Sequence, residues 1–165
     1  MKVQILILVL ISFLMPLRFF AQISSTNFII VIDGRIVTST FANMHLVFKQ
    51  KDGSIREVQA DYIPGRLSYD SITKEQVSEM GNTGLLTFDF YKTCNKKQII
   101  YNYKIEVFKS YLFNAYNVIH IYDLDNKKNR RMYFPLEEQN YTYEVDNPDG
   151  GFRRILRKAP KKGCY

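Results

Sequence analysis

The sequence predicts an all-β protein, an antiparallel β-sandwich of about eight to ten short strands, and three observations predict it. Apolar and polar residues alternate in several segments, which is the period of a strand with one buried face. Turn signals such as Asp33-Gly34, Lys51-Asp-Gly53 and Asn147-Pro-Asp-Gly-Gly151 punctuate those segments. The chain also holds 12 Tyr and 12 Phe, aromatic types that pleated surfaces accommodate well.

Residues 27–32 are apolar on both faces, the mark of a central strand covered on both sides. Asp33-Gly34 suits a tight hairpin, and residues 35–40 form its partner strand. In the next strand Met44, Leu46 and Phe48 point one way and His45, Val47 and Lys49 the other. Lys51-Asp-Gly53 turns the chain, and residues 55–60 return it near an edge. The Pro64-Gly65 pair excludes a central strand across residues 62–67, so this stretch reads as a crossover or a kinked edge. Residues 71–80 are the one helical candidate, with Ser71 or Thr73 as cap, a stripe of Ile72, Gln76, Val77 and Met80, and Gly81-Asn82 as stop.

Leu86, Phe88 and Phe90 then alternate with polar residues, and a long strand follows with Ile99, Tyr101, Tyr103, Ile105 and Val107 on one face. The last stretch reads as a meander. Residues 117–122 are a strand, 123–128 a polar loop, 131–134 a resumed strand, 141–145 a strand with Tyr141, Tyr143 and Val145 on one face, and 152–156 the returning strand.

Residues 1–21 read as an export signal: Met1-Lys2 is a short positive start, an apolar run to Met15 follows, and Ala21 stands where cleavage would occur. That run is shorter than the roughly 20 residues that span a bilayer. Residues 22–158 are then a single domain and residues 159–165 a basic tail. Without Lys2 and Arg18 the 23 basic residues fall to 21 against 16 acidic ones, a mature charge of about +5. In an oxidising compartment Cys94 and Cys164 are candidates for a disulfide, which in the chain-entropy account contributes about 4 kcal/mol for a loop of this size.

Signatures of chemistry are sparse, and no cofactor or metal is implied. His45 and His120 have no metal-ligand spacing around them, and Asp123-Leu-Asp125-Asn126 is followed by Lys127 where a calcium loop needs another oxygen. The chain contains no Gly-x-Ser-x-Gly elbow and no phosphate-cradling loop. Glu137-Glu138 is a sequence-adjacent pair in a turn, not two carboxylates across a sugar. Arg153, Arg154, Arg157, Lys158, Lys161 and Lys162 form a basic patch that a strict pleat splits between two faces, which disfavours specific nucleic-acid binding. It suits a solvated edge, or weak, salt-sensitive attraction to anionic surfaces. Asn140-Tyr-Thr142 matches a glycosylation acceptor.

The expected function is therefore that of a secreted, periplasmic or surface-associated binding module, not an enzyme. Its partner is a protein or a glycan, met through aromatic residues outside the alternation, namely Tyr62, Tyr69, Tyr111 and Tyr116. The alternative is a closed barrel carrying a small apolar ligand: strand count and Cys164 near the C-terminus resemble lipocalins. The Gly-x-Trp motif of that family's first strand has no counterpart here, because the chain has no Trp. The two architectures differ in one respect: in a sandwich Leu86, Phe88, Tyr103 and Ile105 fill the space between sheets, and in a carrier they line a cavity.

Overall fold

The computed structural model of the chain describes residues 22–94, 97–134 and 139–152. The signal at 1–21, the basic patch from Arg153 to Lys162, the last expected strand beyond Phe152 and the tail at 159–165 lie outside the described residues. The elements in order are β1 (Gln22–Ile32), β2 (Arg35–Ile36), β3 (Ala42–Gln50), β4 (Ile55–Ile63), β5 (Gly65–Thr73), α1 (Lys74–Glu79), β6 (Met80–Cys94), β7 (Lys97–Phe108), a 3-10 turn (Lys109–Leu112), β8 (Asn117–Asp123), α2 (Lys127–Met132) and β9 (Tyr141–Asp146).

The all-β class holds, and the strands form one nine-stranded sheet in the order β7-β6-β3-β4-β5-β1-β8-β9, with β2 beside β1. The sheet is mixed, not purely antiparallel, because β1 and β8 run parallel from Phe28 opposite Asn117 to Ile32 opposite Ile121. β4 is the corner where the sheet turns. Its first half, up to Gln59, pairs with β3, and its second half, from Ala60, pairs with β5. The two halves that a sandwich would keep separate are thus continuous, and the sheet curls until its end strands β7 and β9 approach each other, the nearly closed form of the barrel alternative.

No backbone ladder closes the remaining seam among the described residues. Tyrosines bridge it instead: Tyr141 Oη accepts from the Lys104 N–H at 2.5 Å and donates to the Lys104 carbonyl at 3.0 Å, and Tyr143 Oη accepts from the Glu106 N–H at 3.0 Å. Burial pushes the Tyr141 hydroxyl up to about 12, so it stays a donor at neutral pH.

The inner faces make one apolar core, with Phe28, Leu86, Phe88, Tyr103, Ile105 and Ile119 almost completely buried. It is filled. A pocket between Phe28, Leu46, Leu67, Met80 and Leu86 offers about 10 Å³, no more than one water occupies. Asp33 and Gly34 both take positive φ, 51° and 78°, the conformation a two-residue hairpin with the strands' own twist demands.

Five local readings are corrected: residues 55–60 are no edge, since β4 lies between β3 and β5, and of the expected strand over 35–40 only Arg35–Ile36 forms. Residues 131–134 do not resume a strand; Lys127–Met132 is a second helix, with the Asn126 side chain accepting from the Lys128 N–H at its start. The expected helix over 71–80 is shorter, because residues 71–73 extend β5 and Met80 opens β6. Pro64-Gly65 is neither a crossover nor an edge but the tight turn between β4 and β5, with Gly65 at φ 88°.

Candidate functional site

β6 and β7 are the two longest strands, 15 and 12 residues against 11 for β1 and nine or fewer for the rest. Their register is unbroken from Thr83 opposite Phe108 to Cys94 opposite Lys97. Up to Phe88 and Tyr103 this hairpin belongs to the barrel wall and its inward residues are buried. Beyond that level it becomes an arm whose outer face is open, with Tyr91 44% and Ile100 53% exposed, while on its inner face Phe90 and Tyr101 still pack against the core and only Ile99, 41% exposed, faces solvent.

The arm is held along its inner face by a polar cluster across the mouth of the barrel. Lys92 of β6 pairs with Asp123 at the end of β8 and, at 3.2 Å, with Asp33 in the β1–β2 turn. Tyr103 Oη donates to Asp123 Oδ1 at 2.7 Å. Asp33 Oδ1 accepts from the Asp123 N–H at 3.0 Å and from Asn129 Nδ2 at 2.6 Å, which ties α2 into the same network. Tyr101 lies beneath the Lys92 ammonium at 5.0 Å and donates to Asp125, which also accepts from Asn140.

One ammonium is shared between two carboxylates here. Every carboxylate oxygen of Asp33 and Asp123 accepts a bond from within the cluster. Burial opposes the Lys92 charge, but the hydrogen bond and field of Asp123, then of Asp33, outweigh it and hold the ammonium above its ordinary value. Asp123 is 1% exposed, and its desolvation raises its carboxyl despite Lys92 and Tyr103. Burial and then the Asp123 charge push the Tyr103 hydroxyl far up. A lysine held as ammonium between two carboxylates has no lone pair to attack with, and the Tyr103 hydroxyl is buried and committed to Asp123. The cluster works as a strut.

One edge of the arm is open. In an antiparallel strand alternate residues turn both backbone groups away from a given neighbour. Lys104 and Glu106 turn theirs toward the seam, where the tyrosines meet them, so Gln98, Ile100 and Asn102 turn theirs to the same side. Among the described residues no hydrogen bond reaches those three backbone positions. Beside them runs an open groove of about 410 Å³ bordered by Asp125, Gln139, Asn140 and Tyr141.

Of the aromatic candidates, Tyr116 is exposed, whereas Tyr62, Tyr69 and Tyr111 are buried in the core. The hydroxyls of two serve the interior: Tyr62 Oη accepts from the Ile30 N–H and Tyr69 bonds Thr26. These three form no exposed aromatic face. Cys94 ends β6 and Cys164 lies outside the described residues. His45 pairs with Glu57 at 2.9 Å, and His120 sits half-buried on the outer face of β8.

Sequence reasoning missed the strut because its members are spread from position 33 to 129. One signal was available: Asp123 has the same strand parity as Ile119 and Ile121, and a carboxylate on an inward face requires a partner. No protein-family model, curated protein or solved structure matches the chain.

Proposed function

We propose that the chain is an exported, non-catalytic binding module that meets a protein partner through the β6–β7 arm. The observation that carries this reading is the arm itself, where Tyr91, Ile99 and Ile100 stand on strands extended past the core and leave close to half of their surface exposed. Large apolar side chains held at the surface, Tyr91 and Ile100 on one face and Ile99 on the other, have the character of an interface core. The isoleucines favour a protein over a glycan, since they have no group to bond a sugar hydroxyl. The small volume of the core pocket between Phe28, Leu46, Leu67, Met80 and Leu86 argues against carriage of an apolar ligand there. Export rests on the residue pattern of positions 1–21, and the compartment is the periplasm, the cell surface or the medium.

The test is site-specific photo-cross-linking in the producing cell, with the probe at Ile100 or at Ile63, an equally exposed residue beside the β4–β5 turn. A protein adduct formed from position 100 and not from 63 is expected. Equal adducts from both positions, or adducts from 63 alone, would remove the arm from the account.

A further inference from the structure

We infer that the occupant of the open β7 edge is the same edge of a second copy of this chain, paired antiparallel about a two-fold axis at Ile100. This rests on the reading of the arm as a protein-contact surface and names its partner. Three features carry it. The outward backbone groups of Gln98, Ile100 and Asn102 are spaced to exchange up to about six hydrogen bonds with a copy of themselves. The stretch Gln98-Ile-Ile-Tyr-Asn102 contains no charge, proline or glycine, so an axis at Ile100 sets Gln98 against Asn102, Ile99 against Tyr101 and Ile100 against itself, with no like charges opposed. Each face of the resulting ribbon gains a pair, Ile100 with Ile100 on one and Ile99 with the half-buried Tyr101 on the other, and both isoleucines are exposed in the single chain.

The pairing also limits itself. At Lys104 the edge is already taken by Tyr141, so the ladder ends there. A two-fold contact uses the same patch on both copies, which yields a closed dimer and not a fibre. The interface is small, so the dimer depends on concentration.

Sedimentation velocity of the purified full chain across a hundredfold range of concentration tests it. The expected result is a shift from monomer toward dimer. Ile100→Lys opposes like charges across the axis and weakens the dimer by at least about tenfold. The double variant Gln98→Glu/Asn102→Lys places opposite charges face to face twice and retains it; circular dichroism confirms that each variant folds. A monomer at every concentration overturns the inference, as does a dimer that ignores Ile100→Lys. A chain truncated after Phe152 that dimerises where the full chain does not also overturns it, by showing that the chain's own C-terminal residues hold the edge. In each of these outcomes an adduct from position 100 to a different protein leaves the arm's binding role standing, while loss of that adduct removes both.

Discussion

β6 and β7 form one hairpin in two environments, and the contrast between its halves separates what holds this fold from what is free to act. In the inner half Leu86, Phe88, Tyr103 and Ile105 are sealed in the core, and Phe88 packs against Phe41 and Tyr103 with ring centroids 4.5 and 5.4 Å apart. In the outer half the same alternation continues, yet Ile99 and Ile100 face solvent on opposite sides of the ribbon. The pattern of residues does not change along the strand; only the depth of the barrel beneath it does. Burial stabilises the inner half, and the outer half depends on the Lys92 strut for its position.

The largest expected effect comes from breaking the inner half. Phe88→Ala should cost about 3–5 kcal/mol in denaturant unfolding, the range for a large side chain removed from a close-packed core. A much smaller loss would mean that the interior has room to collapse, and with it room for a ligand.

Next is the strut. Lys92→Met leaves the Asp123 carboxylate buried without its cation, and about 2–3 kcal/mol should be lost at neutral pH, less than for a fully enclosed pair because Lys92 is partly exposed. The sign of the pH dependence follows from the two shifts. Lys92 is raised above the ordinary 10.5, so its contribution is whole below that value and disappears as the pH climbs through the raised one. Asp123 is raised as well, and further in the variant, so protonation relieves the variant as the pH falls and the gap to wild type narrows in acid. A gap that stayed constant between acid and strong alkali would show that Lys92 acts through packing alone.

The seam should be less sensitive. Tyr141→Phe removes the hydroxyl that both accepts from and donates to Lys104, and about 1 kcal/mol should go with it. Faster hydrogen exchange at the Lys104 amide would locate the loss. The smallest effect on stability is expected on the arm, where Ile100→Lys should shift unfolding by no more than about 0.5 kcal/mol while weakening contact with the partner by at least about tenfold. An arm variant that unfolded the protein would erase the distinction between the two halves.

The same contrast explains what could be read from the residues. Alternation at 86–90 and 99–107 identified the correct inward face, and Asp33-Gly34 and Lys51-Asp-Gly53 marked real turns. Residues 27–32 read correctly as central, since β1 lies between β5 and β8. Alternation reports a face, however, and not how far the opposing wall extends, so Ile99 looked like core as much as Ile105 did. The parallel pairing of β1 with β8 joins residues about 90 positions apart, and no local signal encodes it. Helix α2 was missed because Lys127-Lys-Asn-Arg-Arg131 has no apolar stripe; its cap, Asn126, was the only cue. The tyrosines misled because Pro64-Gly65 hid the strands on either side of it: Tyr62 shares its inward face with Val58 and Ala60, and Tyr69 shares its own with Leu67.

Amide hydrogen exchange of the dilute purified protein, resolved to single residues along β7, tests the central claim most directly. An open edge held on a rigid root predicts alternation: Ile99 and Tyr101, which face β6, are protected, Gln98, Ile100 and Asn102 exchange freely, and protection returns at Lys104 and Glu106, where tyrosine hydroxyls accept. Uniform protection from Gln98 to Glu106 in dilute solution would mean that the edge is already filled within the single chain, and the arm would then be part of the wall.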